Sequence, residues 1–400
     1  MRRVVITGAG TINALGVGVE AFESGLRAAR CAIGTVSVFD GGAYRSSCAA
    51  EVTDLSAPAW LPSPTARRAS RSDLFALIAA REALDGAGLN DAVLELGLAV
   101  GATTGGMHSS EEYLRRSLLG LPTLRRRAIL TTPVSASTDL LANVLGCEGP
   151  RLTVSTACSS GANALGIAAD WIRSGRAEAA LCGGVDSLCR MTFSGFNALQ
   201  ALDTVPCRPF DRRRAGLTLG EGAAMFVLED RDRALARGAA PLAEFLGYGI
   251  STDAHHITQP RPDGAGALLA MQRALAESDV AAEEIDYVNA HGTATVLNDV
   301  LETRAIKALC GAHAYRIPVS STKSMVGHCL AAAGAIEALA CVLALRGGFV
   351  PATATLVEPD PECDLDYVPR VSRAQTLRTV LSNSYGFGGN NTALVLRRAE

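Results

Sequence analysis

The sequence predicts an α/β protein made of two duplicated βαβ-containing halves, with parallel sheets covered on both faces by helices. Three observations lead there. Apolar strand-like runs alternate with longer helical patterns along the 400 residues, the signature of parallel strands joined by helical crossovers. An internal repeat relates the segment around Leu152–Ser160 to the segment around Pro318–Val326. Composition also fits, with 48% hydrophobic residues, 40 glycines and 19% charged residues. This balance builds a large core and excludes disorder.

Taken in order, Val4–Thr7 reads as a strand entering a glycine turn at Gly8-Ala9-Gly10, followed by a helix-like stretch through Val19–Arg27. The turn lacks the full GxGxxG spacing, because Asn13 stands where the third glycine belongs, so a dinucleotide site is not expected. Residues 56–66, rich in Pro, Ser and Ala, read as a loop. Asp73–Gly86 shows helical periodicity and ends at glycine. Leu98–Gly101 is a short apolar strand that runs into the loop ATTGGM.

The repeat begins next. Leu152–Ser160 (LTVSTACSS) is a strand breaking into a small-residue turn, Gly161–Ile172 an alanine-rich helix, and Ala179–Val185 the following strand. Pro318–Val326 (PVSSTKSMV), Cys329–Leu345 and Thr379–Asn383 repeat the order. The halves also close alike, with GAAMFVLE at 222–229 and NNTALVLR at 390–397. The predicted domains are therefore 1–240 and 241–400, with both strand-to-helix turns at one pseudo-symmetric centre.

Composition bounds the function. A formal charge of −3 gives no whole-molecule reason to bind nucleic acid. Eleven scattered cysteines without a CxxC pair read as free thiols of a reducing compartment. The N-terminus does not read as a signal peptide, and no uninterrupted apolar stretch reaches membrane-spanning length. A cytoplasmic protein without membrane partners is expected. Of 37 basic residues only Lys307 and Lys323 are lysines, which leaves 37 − 2 = 35 arginines.

The chemistry-bearing residues gather at the predicted turns. Cys158 lies where a strand hands over to a helix, and the helix start favours its thiolate. A buried structural thiol is the competing reading. His291, in NAHGTAT, follows an apolar strand, and His328, in KSMVGHC, opens the second alanine-rich helix. Neutral imidazoles at such places can donate N–H to a developing oxyanion. A metal is the minority reading, since Cys158, His291 and His328 are far apart in sequence and no HxxxH or HExxH accompanies them. Lys323 is expected to pair with Glu337 on the following helix and to set the tautomer of His328. Glycines flanking Phe387 (Gly386, Gly388) give its N–H freedom to point into the site and let the ring act as a gate.

Together, TACSSG at Cys158, HGT at His291, Lys323 with His328, and GFGG at 386–389 resemble the elongating β-ketoacyl-acyl-carrier-protein synthases of the thiolase superfamily. RPFD (208–211) and GEGAA (220–224) extend the likeness, which spans the chain. The resemblance implies a five-layered αβαβα fold, a dimer, and a decarboxylative Claisen condensation. Cys158 would carry the acyl chain. His291 and His328 would assist decarboxylation of malonyl-carrier protein, and the N–H groups of Cys158 and Phe387 would form the oxyanion hole. Thr293 and Thr295 would hold the phosphopantetheine arm that carries the substrates, and no other cofactor is expected. Phe196, Gly386 and Gly388 would contact substrate, and Thr104 would line the acyl pocket near the dimer interface. Arg67, Arg68 and Arg71, Arg125 to Arg127, and Arg212 to Arg214 would dock the acidic acyl carrier protein; solvated surface is their bland alternative.

Some segments depart from the family pattern. RRRAGLTLGEG follows RPFD where a more acidic, aromatic version is usual, and ATVLND follows HGT without the usual proline and glycine. With the small Thr104, these differences set a reducing, polyene-type polyketide pathway beside fatty acid synthesis as the expected alternatives, with a partner that is either a second copy or a ketosynthase-like chain-length subunit. The rivals are a thiolase, which would need a second cysteine absent from GFGGNN, and a non-catalytic chain-length subunit, which would lack Cys158.

Overall fold

The computed structural model describes residues 2–89, 95–122 and 126–400; Arg125 lies outside them. Among the described residues, ten strands of an eleven-stranded sheet run side by side, and the eleventh, Gly16–Val17, pairs with the first off this path. The ten are β1 (Val4–Asn13), β2 (Gly97–Gly101), β3 (Arg151–Val154), β4 (Ala179–Asp186), β5 (Gly222–Asp230), β6 (Ala243–Thr252), β7 (Tyr287–Asn289), β8 (Val319–Ser320), β9 (Thr379–Gly386) and β10 (Asn390–Arg398). Their order is β8-β7-β9-β10-β6-β1-β5-β4-β2-β3. Read outward from the centre, the first half runs β1-β5-β4-β2-β3 and the second β6-β10-β9-β7-β8. Each chain segment thus occupies the place its repeat partner occupies. The match reaches single residues: β1 shifts register against β5 between Ile6 and Gly8, and β6 shifts against β10 between Phe245 and Gly247.

Helices make the other layers. They are α1 (Arg71–Ala87), α2 (Met107–Leu118), α3 (Ala136–Leu145), α4 (Ser160–Arg173), α5 (Arg190–Ala198), α6 (Ala265–Ser278), α7 (Val296–Cys310) and α8 (Ala333–Gly347). Helices α4 and α8 touch each other and strands of both half-sheets. Alanine dominates both, and Gly161 and Gly334 sit where a Cβ would press on the facing helix, so the backbones approach closely. Helix α1 covers β1 and β5, while α6 covers β6 and β10. The result is αβαβα layering.

Local chemistry explains the boundaries. Helix α1 starts at a capping box: Ser70 Oγ accepts from Asp73 N–H (3.2 Å) and Asp73 Oδ2 accepts from Ser70 N–H (2.8 Å). It ends at Gly88, left-handed at φ 66°. The N-terminal glycines are no turn. Gly8 and Gly10 lie inside β1, where a Cβ would overlap the carbonyl oxygens of Ala83 and Ala79 on α1. Their function is helix-on-sheet contact.

One segment, Leu330–Gly347, reaches a mean hydropathy of 1.7 over 18 residues, but Glu337 and Arg346 interrupt it, so it is not an uninterrupted apolar stretch. It is largely apolar because it is the middle layer, 89% buried.

Candidate active site

Cys158 stands just before α4, at a turn whose preceding residue, Ala157, is held left-handed at φ 53°. Such a conformation costs an alanine about 1 kcal/mol and marks a backbone held by its surroundings. Thr156 N–H donates to Ser160 Oγ (2.8 Å), and Ser160 Oγ–H donates to the Ala157 carbonyl, closing the turn. Gly386 at the end of β9 packs against it; a Cβ there would lie 3.0 Å from Thr156 O and 3.1 Å from Cys158 N. This close approach sets Phe387 beside the Cys158 turn, where its N–H favours the thiolate.

Both histidines share Cys158's cavity of about 280 Å³, along with Thr293, Thr295, Phe196, Gly386 and Phe387. His291 and His328 rings cross nearly at right angles, 5.4 Å apart. Phe387 stacks on Phe196 with 5.4 Å between centroids, and both rings line the cavity. Thr293 and Thr295 hydroxyls lie 2.9 Å apart.

The proton on each imidazole follows from its partners. Lys323 Nζ lies 3.2 Å from His291 Nδ1 and pairs with Glu337. An ammonium only donates, so His291 Nδ1 accepts and the ring's proton is on Nε2. His328 Nδ1 accepts from the Leu330 N–H at 3.0 Å, so its proton also sits on Nε2. Burial, and then the Lys323 charge, hold both histidines well below the ordinary value of 6.5; His328 also lowers His291. Both are neutral N–H donors at pH 7. With Nδ1 engaged, neither offers a lone pair to a metal in this state.

Lys323 and Glu337 pair as expected, but the lysine orients His291 rather than His328. The main-chain turn reaches His328 first.

The expected thiolate is also corrected. Burial pushes the Cys158 thiol up to about 11, against the opposing effects of Lys323 and the Phe387 N–H, while Asp186 and Glu337 raise it further. Desolvation outweighs the favourable dipoles, and the resting group is the thiol.

Several residues behind the site went unremarked in the sequence. Glu302 on α7 accepts the N–H groups of His291 and Gly292, each at 2.8 Å, and Asn383 Nδ2 at 3.1 Å. Asp299, one turn earlier, accepts from Ala294 N–H (3.1 Å) and Phe210 N–H (2.8 Å). Two carboxylates on the first turns of a helix following a glycine loop are the signal that was available. His328 is pinned across the pseudo-symmetry: its N–H donates to Thr218 O (2.7 Å) and its carbonyl accepts from Gly220 N–H (2.9 Å).

Other expected site residues fall elsewhere. Thr104 does not line the cavity: its N–H (2.7 Å) and hydroxyl (2.9 Å) both donate to Asp186. Gly388 is exposed outside the cavity lining, at φ 80°, with its N–H on Ile257 O (2.8 Å). Arg71 cannot dock a partner, because its guanidinium is committed to buried Glu221 and to Val52 O. Arg214 is likewise buried on Asp360, Asp299 and three carbonyls. Arg67, Arg68, Arg126, Arg127, Arg212 and Arg213 are exposed, with Arg212 partnered by Glu358 (2.7 Å) and Arg213 near Asp211 (3.5 Å).

Comparison with known proteins agrees with this architecture. The chain is 41% identical over 411 residues to a 3-oxoacyl-[acyl-carrier-protein] synthase 2 of Synechocystis, covering 100% of this chain and 99% of the relative. It is 41% identical over 420 residues to the tetracenomycin polyketide synthase ketoacyl synthase alpha subunit of Streptomyces glaucescens, covering 100% and 98%. The solved ishigamide ketosynthase/chain length factor superimposes with a TM-score of 0.94 at 38% identity, over 100% of both chains. Residues 1–234 match the family described as beta-ketoacyl synthase, N-terminal domain, and residues 242–357 its C-terminal domain. The chain belongs to the β-ketoacyl synthase family.

Proposed function

We propose that the protein is an elongating β-ketoacyl-acyl-carrier-protein synthase, an acyltransferase that joins a Cys158-bound acyl chain to malonyl-carrier protein with loss of carbon dioxide. One observation carries the reading: two neutral imidazoles, each with its proton on Nε2, share a cavity with the Cys158 thiol and Phe387. That set stabilises two successive oxyanions without a strong acid that would quench a carbanion.

In the first half-reaction Cys158 Sγ attacks the acyl thioester of the carrier's phosphopantetheine arm. The Sγ–H proton leaves for the departing thiol, and the Cys158 and Phe387 N–H groups hold the tetrahedral oxyanion. In the second, the malonyl C–C bond breaks, carbon dioxide leaves, and its electron pair enters the enolate. The enolate oxygen receives the His291 and His328 Nε2–H groups. The enolate carbon attacks the Cys158 thioester, the oxyanion forms again, and its collapse expels the Cys158 thiolate, which takes up a proton. The electrons come from the broken C–C bond, so the steps need no cofactor beyond the carrier's arm.

The partners follow from the same reading. Exposed Arg67, Arg68, Arg126 and Arg127 suit an acidic acyl carrier protein. Strand β3 sits at the sheet edge with Arg151 and Leu152 exposed, so its unpaired backbone suits a second subunit. That subunit is a second copy or a chain-length partner. Fatty acid and reducing polyketide pathways both use this chemistry, and relatives of both the 3-oxoacyl-carrier-protein synthase and the polyketide synthase kind are 41% identical to the chain. A cytoplasmic location fits the eleven free cysteines.

The test incubates the protein, alone and with candidate subunits, with acyl- and malonyl-carrier protein. Carbon dioxide release and Cys158 acylation are followed, the latter by mass spectrometry. Both are expected, and Cys158→Ala should abolish condensation; a Cys158→Ala protein that still condenses the pair overturns the reading.

A further inference from the structure

Asp186 ends β4 at the boundary between the two halves and is fully buried. Its carboxylate is not idle. Oδ1 accepts from Thr103 N–H (2.9 Å), Thr104 N–H (2.7 Å) and Thr104 Oγ1 (2.9 Å). Oδ2 accepts from the Thr103 hydroxyl and from the Ala331 N–H (2.8 Å). One oxygen thus serves mainly the loop after β2, and the other reaches across to the turn that follows His328.

That turn holds two consecutive N–H groups with different clients. Leu330 N–H is on His328 Nδ1, and Ala331 N–H is on Asp186. Between them the backbone is strained, since Leu330 is left-handed at φ 54°. A leucine keeps that conformation only when its neighbours hold it. The packing around it is close: a Cβ on Gly184, two residues before Asp186, would lie 2.6 Å from the Ala331 carbonyl oxygen.

We infer that Asp186 is a positioning residue for the second half-reaction: by gripping Ala331 N–H it keeps Leu330 N–H on His328 Nδ1 and so keeps the His328 proton on Nε2, facing the cavity. This inference rests on the proposed condensation. It also makes the Thr103–Thr104 loop and the His328 turn share one anchor, so that a shift in one is transmitted to the other.

Asp186→Asn tests it, because an amide has one accepting oxygen where the carboxylate has two. Either the Thr103–Thr104 loop or the Ala331 N–H then faces an NH₂ group. In ¹⁵N-histidine-labelled protein, with the His328 signals assigned by loss in His328→Asn, the native chain should show the Nε2–H neutral form. Asp186→Asn should show that form depleted. Carbon dioxide release from malonyl-carrier protein should fall roughly 10–100-fold, the usual loss when a histidine's orienting partner is removed. Cys158 acylation should not fall by more than about threefold, as no donor to the oxyanion is disturbed and loss of the Asp186 charge eases thiolate formation. An unchanged His328 signal, or equal losses in both half-reactions, overturns the inference. If Asp186→Asn does not fold, Asp186→Glu keeps two acceptors displaced by one methylene. The same unequal loss and shifted signal are then required, and their absence is equally decisive. The histidine signal is read without substrate, so a failed condensation reading and a failed Asp186 role give different results.

Discussion

His291 and His328 are buried beside an ammonium, and each has its Nδ1 engaged by an N–H donor. The active neutral forms therefore persist below pH 6.5, because a lowered pKa delays protonation as pH falls. The acid limb of the carbon dioxide release profile should lie below that value, and a limb at or above 6.5 would contradict the assigned tautomers. Lys323→Ala removes the second cause of the His291 shift and leaves Glu337 without its cation, so the limb should move upward while turnover drops on the order of 10–100-fold. For Cys158, a thiol at about 11 implies that iodoacetamide labelling rises about tenfold per pH unit from 7 to 10. A fast, flat rate at pH 7 would mean that the helix start outweighs burial after all. Cys158, the two histidines, the lysine and its glutamate were legible in the sequence because rare residue types stood at strand ends. What each touches was not: the Lys323–His291 contact and the Asp186 anchor join segments far apart in the chain. No local pattern encodes which imidazole a lysine reaches.

Among the elements, the strand–helix repeat was readable because alanine-rich helices and matching strand ends recur in the same order. The role of the N-terminal glycines was not. GAG reads as a turn in isolation, but tertiary contact with α1 keeps it in β1. Its repeat counterpart is Gly247 and Gly249 on β6, against α6. At Gly8 and Gly249 a Cβ would overlap helix carbonyls of Ala83 and Ala270, whereas at Gly247 the nearest atom is 3.0 Å away. Gly8→Ala and Gly249→Ala should each lose roughly 2–4 kcal/mol, because neither helix nor strand can yield freely, and Gly247→Ala should lose less. Denaturant unfolding of the three variants checks the ranking, and equal losses would show that the helices move aside. The helix-terminal carboxylates of α7 make a similar point, since Asp299 and Glu302 look like solvated charges until the HGT loop is seen folded over them.

For the whole molecule, exposed arginines and an uncovered sheet edge are the surfaces proposed to meet other proteins. Arg67→Ala with Arg68→Ala should raise KM for carrier-bound substrates several-fold at low salt, with kcat nearly unchanged and small thioester substrates unaffected. The difference should shrink as salt screens the surface charge. A salt-independent effect would indicate structural damage. Arg71 and Arg214 belong to a different class despite their sequence neighbours, and alanine at either should destabilise the fold by leaving Glu221 or Asp299 buried without a cation. The middle layer carries a consequence for biosynthesis. Helix α4 and its sheet are made first, yet the face they offer to α8 stays uncovered until the second half leaves the ribosome. At 5–20 residues per second that interval is roughly ten to thirty seconds. Then α8 itself emerges, apolar but for Glu337 and Arg346. Until both halves are present, the apolar face between them is open to other nascent chains, and the second half closes it.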